Sequence, residues 1–126
     1  MLTGVLIGES LRVGAKLGGG GLPLRLNWVT SVQPGRGQDA GPGRPARWTV
    51  LEFEAEDEAA AELAGALARC LDAGPWYANF HTAEEAFVVF ADRVFRYRRG
   101  DRSGRARAAQ YARTVGVPET QLDWTD

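Results

Sequence analysis

Alternating apolar and polar residues predict three strands in the first half of the chain. Residues 24–29 and 48–54 both repeat every two positions, which is the period of a strand with one buried face. A third apolar stretch, residues 5–11, predicts a short strand that ends where glycines become frequent. The consecutive glycines at 18–21 cannot hold a regular element, because each loses much backbone entropy on ordering.

The most regular pattern is helical and covers residues 57–73. Its apolar side chains fall on one stripe at helical spacing, formed by Leu63, Leu67, Cys70 and Leu71. Asp57 is placed to cap the first turn, and Gly74 followed by Pro75 is a stop signal. We therefore predict an amphipathic helix that packs through one face.

Three more strands are predicted in close succession after this helix. They are residues 76–80, 85–90 and 94–98. The short connections between them favour an antiparallel meander, and residues 87–90 are apolar throughout, which indicates a central strand. A second helix is predicted to follow, capped by Asp101 or Ser103 and ended by Gly116.

Together these elements predict a single α+β domain over residues 1–126 with the element order βββαβββα. We expect a mostly antiparallel sheet of about six strands. Both helices are expected on one face of that sheet, because each has a single apolar stripe. A ferredoxin-like plait or a relative of it is the first choice of fold.

A weak internal repeat supports the idea of two similar halves. Residues 50–54 and 94–98 match in pattern at an offset of 44 positions, and each segment runs into a predicted helix. The first copy carries glutamates where the second carries arginines. If the two strands are neighbours, we expect these charges to pair across them.

Composition limits the class of protein. The chain of 126 residues is 44% hydrophobic and 25% charged, which is typical of a globular protein. Residues 33–47 contain four glycines and three prolines and predict a flexible surface loop. No apolar run is long enough to cross a bilayer, and no basic leader is present, so we expect no membrane partner. The lone Cys70 excludes an intramolecular disulfide and favours a reducing cytoplasm.

Charge is strongly segregated along the chain, although the formal net charge is −1. Between Arg93 and Arg113 lie eight arginines and one acid, whereas residues 1–92 carry seven bases and twelve acids. The planar fork of arginine suits carboxylates and phosphates, so this segment predicts a binding surface. The candidate binding residues are Arg96, Arg98, Arg99, Arg102, Arg105 and Arg113.

Three kinds of partner remain open for these arginines. The chain's own acids could neutralise them, within one molecule or across a homodimer, and an acidic protein partner is the second alternative. Nucleic acid is possible but less expected, because the chain's pI of about 5.9 is acidic. The leading hypothesis is a non-catalytic binding or regulatory module that uses this surface for an acidic partner or for self-association.

A second hypothesis, from a different class, is a small enzyme or ligand-binding domain. Its pocket would lie near Trp76, Tyr77, Asn79 and His81. His81 is the only histidine and could act as a base, but a zinc site needs three or four ligands. We therefore expect no metal and no cofactor. No complete catalytic set is present in the sequence, which favours a non-catalytic protein and leaves the small enzyme as the alternative. Cys70 should pack as a small hydrophobic residue.

The second half of the chain resembles a group of small bacterial proteins to which we attach no activity. The resemblance covers residues 76–124, a little under half of the chain. It is carried by Trp76-Tyr77, Phe87-Val88-Val89-Phe90, Arg93-Val94-Phe95-Arg96-Tyr97, Arg99-Gly100-Asp101, Gly104-Arg105, Gly116-Val117-Pro118-Glu119 and Gln121-Leu122-Asp123-Trp124. It implies a folded family and no particular chemistry.

Overall fold

The computed structural model describes residues 1–19, 22–33 and 47–126. Within these ranges the element order is βββαβββα, as predicted. The strands are β1 (Leu2–Ile7), β2 (Arg25–Val32), β3 (Trp48–Ala55), β4 (Ala78–His81), β5 (Glu85–Phe90) and β6 (Arg93–Arg98). The helices are α1 (Ala60–Cys70) and α2 (Arg102–Thr114). The predicted loop at 33–47 falls almost entirely outside the described residues.

The six strands form one sheet in the order β2-β3-β1-β4-β5-β6. Every neighbouring pair is antiparallel, which confirms the predicted type of sheet and the β4-β5-β6 meander. The turn between β5 and β6 places Asp92 at a φ of 58°, a left-handed conformation that aspartate tolerates better than most residues.

The expectation that both helices lie on one face of the sheet is wrong. Phe87 and Val89 of β5 pack in the apolar cluster that contains the buried side of α1. The alternate residues of β5 pack in a second cluster with Ala108 and Ala112 of α2. Because successive side chains of a strand point to opposite faces, α1 and α2 cover opposite sides of β5. An apolar run with no alternation therefore marks a strand between two helices.

The ferredoxin-like plait is not confirmed. That fold has the order βαββαβ, whereas this chain completes three strands before each helix. The two matching strands of the internal repeat, β3 and β6, are separated in the sheet by β1, β4 and β5. The glutamates of β3 therefore do not pair with the arginines of β6. Instead, the Glu54 carboxylate of β3 lies 3.0 Å from the guanidinium of Arg25 on β2.

The helix boundaries follow their capping residues only in part. Asp101 caps α2 by accepting a hydrogen bond from the Ser103 backbone N–H at 3.0 Å, as predicted. Asp57 does not cap α1, since residues 57–59 form a short 3₁₀ turn with no side-chain cap. The stop signal at Gly74 was also placed too late, because α1 ends at Cys70 and its C-cap Leu71 is extended, so Gly74, with a φ of 118°, belongs to the turn that follows and does not cap the helix. Neither helix has the length and apolar character needed to cross a membrane, within the ranges that the structure describes.

Candidate ligand-binding cavity

One face of the sheet is only half covered by a helix. On the side of α2, that helix and the C-terminal segment pack over β5 and β6. On the same side of β1, the residues Thr3, Val5 and Ile7 are only partly buried, whereas the alternate residues that face α1 are fully buried. Within the described ranges, no helix covers the half of the sheet made by β2, β3 and β1 on this side, and we call it the open half.

A cavity of about 360 Å³ lies on this open half. Its floor is formed by β1, β3 and β4, and its walls by residues 75–77 and by the C-terminal segment. The lining consists of Val5, Ile7, Val32, Trp48, Val50, Pro75, Trp76, Tyr77, Asn79, Thr120, Gln121 and Asp123. Most of these side chains are apolar or aromatic, and the volume falls within the range of small-molecule sites.

Two tryptophans form one end of the cavity. The ring centroids of Trp48 and Trp76 are 5.9 Å apart and the rings are inclined at 60°. Trp48 begins β3 opposite Val32 of β2. Trp76 lies in the turn between α1 and β4, where its backbone N–H donates a hydrogen bond of 2.9 Å to the Gly74 carbonyl. Each indole thus presents a small part of its surface to the cavity and packs the rest against protein.

Tyr77 joins the cavity wall to the interior of the second apolar cluster. Its hydroxyl donates a short hydrogen bond to the Gln121 carbonyl, and its ring lies edge-on to Trp124 with centroids 5.4 Å apart. Burial raises the pKa of Tyr77 well above its ordinary value, and the negative charge of Asp123 raises that pKa further. The phenol therefore stays neutral and holds the C-terminal segment against the sheet.

Asn79 and Asp123 are the polar side chains with bonding capacity to spare. Neither makes a side-chain hydrogen bond or an ion pair with another residue in the described ranges. Asn79 lies on the cavity floor beside Val5 of β1 and opposite Val88 of β5, and it is partly buried. Its carboxamide and the Asp123 carboxylate can therefore bind a ligand without breaking an existing bond.

The structure gathers most, but not all, of the pocket residues predicted from the sequence. Trp76, Tyr77 and Asn79 line the cavity, whereas His81 does not. His81 lies two residues beyond Asn79 on the same face, opposite Thr3 of β1, and its Nδ1 is 3.3 Å from the Thr82 carbonyl oxygen. The sequence reasoning missed the floor residues of β1 and β3, and the period-two alternation of residues 48–54 was the one available signal for them.

A larger concavity of about 510 Å³ lies on the other face of the sheet, over β1, β2 and β3. It is lined mostly by leucines and by Phe53. Its acidic residue, Glu9, is already bound, because the carboxylate accepts hydrogen bonds from the Thr49 backbone N–H at 2.6 Å and from the Thr49 hydroxyl at 2.9 Å. This hollow therefore offers an apolar surface with little polar selectivity.

Three of the six candidate arginines are engaged by acids of the same chain. Arg96 holds Glu85 through two hydrogen bonds of 2.6 and 2.7 Å. Arg105 lies 3.1 Å from the Asp126 carboxylate, and Arg113 binds Glu119 near the end of α2. Intramolecular neutralisation, one of the three alternatives considered for the basic segment, therefore accounts for half of these residues.

The other three candidate arginines lie together at the turn from β6 into α2. Arg99 is 3.3 Å from the carbonyl oxygens of both Thr82 and Ala83. Arg98 and Arg102 are exposed and form no hydrogen bond or ion pair with any described residue. A small basic surface thus remains open at this turn.

The described residues contain no group of three or more histidine, cysteine, aspartate or glutamate side chains that could hold a metal ion. Cys70 is buried, and its thiol lies 3.3 Å from the Lys16 carbonyl oxygen. This position agrees with the packing role predicted for the cysteine.

Comparisons with protein-family models, with curated proteins and with solved structures found no match to the chain. The resemblance to small bacterial proteins stays a prediction.

Proposed function

We propose that the chain is a non-catalytic binding domain that holds a small, partly aromatic ligand in the cavity on the open half of its sheet. The observation that carries this proposal is the combination of the Trp48, Trp76 and Tyr77 rings with the unengaged polar groups of Asn79 and Asp123. Apolar concavities with a few convergent polar groups are the usual form of a ligand site. The aromatic surface would supply affinity, and the two polar groups would orient the ligand.

This proposal takes precedence over the arginine surface because half of the candidate arginines are already neutralised. An acidic partner that binds at Arg98, Arg99 and Arg102 stays a prediction. Replacement of Arg98 and Arg102 by glutamate would test it, since both are exposed and form no hydrogen bond or ion pair with a described residue, so their loss should leave the fold intact.

A cavity-filling substitution tests the ligand site. Val50→Trp places an indole on the cavity floor, where it competes for the ligand volume. Val94→Trp is the matched control, because Val94 is a strand valine with 39% of its surface exposed and lies on β6, outside the cavity. A library of aromatic fragments, screened by ligand-observed NMR against both variants and the wild type, provides the measurement.

We expect fragments that bind the wild type and the Val94→Trp protein but fail to bind Val50→Trp. Binding that persists in a folded Val50→Trp protein would place the ligand elsewhere and refute the proposed site. A screen without any hit on the wild type would count equally against it.

Self-association is a second candidate function, and the edge strand β2 is the observation that favours it. All eight residues of β2 are exposed, and β3 is its one neighbour in the described sheet. Leu26, Trp28, Val29 and Val32 expose between 37% and 54% of their surface. Long apolar edges readily pair with another strand, whereas the opposite edge, β6, is protected by three exposed arginines.

A second copy of the chain is the partner that fits this edge. Antiparallel pairing of two β2 strands about a two-fold axis places the same surface on both sides, as in most homodimers. A bulge between Leu26 and Trp28 leaves residues 28–32 as the regular part of the edge. The one charge on β2, Arg25, lies outside that part, so no like charges face each other.

Sedimentation analysis at several protein concentrations tests this self-association. We expect a dimer that survives high salt, because strand pairing and apolar contacts are not screened as ion pairs are. Val29→Lys should give a monomer, whereas Val94→Lys on the other edge should leave the dimer unchanged. A wild-type protein that remains monomeric at high concentration would exclude this function.

A further inference from the structure

We infer that the ligand of this cavity carries a positive charge, as an organic ammonium group attached to an apolar or aromatic body. The inference rests on the binding function proposed above and adds the charge of the ligand to it. Asp123 is the one carboxylate among the described residues that line the cavity, and no arginine or lysine lies among them. Within the described lining, an anion would therefore find no cationic partner.

The open face of the sheet beyond the cavity is negatively charged, as the cavity is. Glu52 and Glu54 lie on the face of β3 that also carries Trp48 and Val50, because alternate residues of a strand share a face. Arg25 neutralises Glu54 at 3.0 Å, but Glu52 is held by the neutral amide of Asn27 at 3.1 Å and forms no ion pair within the described ranges. On the other side of the cavity, Arg105, whose charge acts on Tyr77, is already bound to Asp126.

The aromatic rings favour the same charge. The face of an aromatic ring is electron-rich and attracts a cation, most strongly in tryptophan. Two tryptophans, each with a small part of its indole exposed, and a tyrosine line the same cavity as the Asp123 carboxylate, a combination that suits an ammonium group with an apolar substituent. Burial and the charge of Asp123 keep the Tyr77 phenol neutral, so its ring remains a neutral wall for such a ligand.

Three probes of similar shape but different charge test whether the cavity selects its ligand by charge. Benzylammonium, benzyl alcohol and benzoate share a ring and differ mainly in the charge of a short substituent. Titration calorimetry at neutral pH and low salt should give the highest affinity for benzylammonium, a lower affinity for benzyl alcohol, and no measurable binding of benzoate.

The variant Asp123→Asn assigns the effect to one carboxylate. This variant should lower the affinity for benzylammonium by about two- to fivefold, which is the range for a solvent-exposed charge pair. The affinity for benzyl alcohol should stay unchanged. Asp92→Asn is the control, because Asp92 is exposed, lies outside the cavity, and has a left-handed backbone that asparagine also adopts.

The outcomes distinguish the two proposals. If all three probes bind equally, or benzoate binds best, the charge inference is wrong while the cavity remains a binding site. If benzylammonium is preferred but Asp123→Asn leaves its affinity unchanged, the assignment to this cavity is wrong. If none of the probes binds, the charge inference is wrong. The fragment screen with Val50→Trp then tests separately whether the cavity is a binding site.

Discussion

The indole Nε1–H of Trp124 donates a hydrogen bond of 2.8 Å to the hydroxyl of Tyr97. Tyr97 in turn donates its own proton to the Asp126 carboxylate at 2.6 Å. This short chain of bonds fastens the C-terminal segment to β6 and so to the sheet. Because Thr120, Gln121 and Asp123 of the same segment form one wall of the cavity, the shape of the candidate site depends on this attachment.

Arg105 is expected to stabilise the domain through this C-terminal attachment. Its guanidinium donates to the Trp124 carbonyl at 2.9 Å, pairs with Asp126, and lies 4.6 Å from the centre of the Trp124 ring. Arg105→Ala should lower the free energy of unfolding by about 2 kcal/mol, since hydrogen bonds to charged groups are the strong ones. Arg102→Ala, on the same helix but exposed, should change it by less than about 0.5 kcal/mol. Urea denaturation of both variants measures the difference, and equal effects would contradict the structural role of Arg105.

The raised pKa of Tyr97 predicts a loss of stability at alkaline pH. Burial raises the pKa of Tyr97 to about 12, and the hydrogen bond to the Asp126 carboxylate also favours the neutral phenol. A folded pKa above the unfolded value of about 10 adds stability that is complete below pH 10 and disappears as the pH rises through about 12. Denaturation midpoints measured across this interval should fall steeply for the wild type. Tyr97→Phe should remove that part of the slope, and an unchanged slope would show that another group causes it.

Asp126 predicts a complementary loss of stability at acid pH. Burial alone raises the pKa of Asp126, but the hydrogen bonds from Tyr97 and Arg105 outweigh it and hold that pKa below its ordinary value. The stabilisation is therefore present above the unfolded pKa of about 4, and it is lost as the pH falls through the lower pKa of the folded protein. The difference in unfolding free energy between wild type and Asp126→Asn should narrow as the pH falls below about 4. A constant difference would mean that the carboxylate is not bound as described.

Local patterns predicted the elements well, whereas their placement in layers depended on distant residues. The six strands and two helices follow from the period of the apolar residues, and α2 also from its cap at Asp101, all of which act over a few residues. The faces that the helices cover depend on how β5 is buried, and an apolar run such as residues 87–90 fits burial against one layer or two. The structure resolves this because its two apolar clusters divide β5 residue by residue.

The first strand shows why a boundary was displaced. Residues 5–11 were predicted, whereas β1 is Leu2–Ile7 and residues 8–10 form a 3₁₀ turn. The buried face of β1 includes Gly4, whose missing side chain hides the alternation in the sequence. A Cβ at that position would lie 2.4 Å from the Phe80 Cβ, so the packing of β4 requires glycine there.

The candidate site was predicted only where its residues are close in sequence. Trp76, Tyr77 and Asn79 lie in one short segment and could be proposed together. Val5 and Val50 join them because the antiparallel register brings Val5 opposite Asn79 and Ile7 opposite Val50. Such contacts span tens of residues and follow from strand order, which local patterns do not specify.

The contact between α2 and β6 can be tested with one glycine from each helix. A Cβ on Gly104 would lie 2.4 Å from the Tyr97 Cβ, so Gly104→Ala must push α2 away from the strand. We expect this variant to lose about 1–3 kcal/mol of unfolding free energy despite the better helix propensity of alanine.

Gly65→Ala provides the matched comparison on α1. The nearest atom to its added Cβ, apart from the helix's own neighbouring backbone, is the end of the flexible Arg69 side chain at 3.4 Å. This substitution should therefore gain about 0.5–1 kcal/mol from helix propensity alone. Urea denaturation of both variants under identical conditions should show shifts of opposite sign. Because the Tyr97 backbone belongs to the strand that anchors Trp124, Gly104→Ala should also weaken the C-terminal wall of the cavity, and a stabilised Gly104→Ala protein would refute the close contact between α2 and β6.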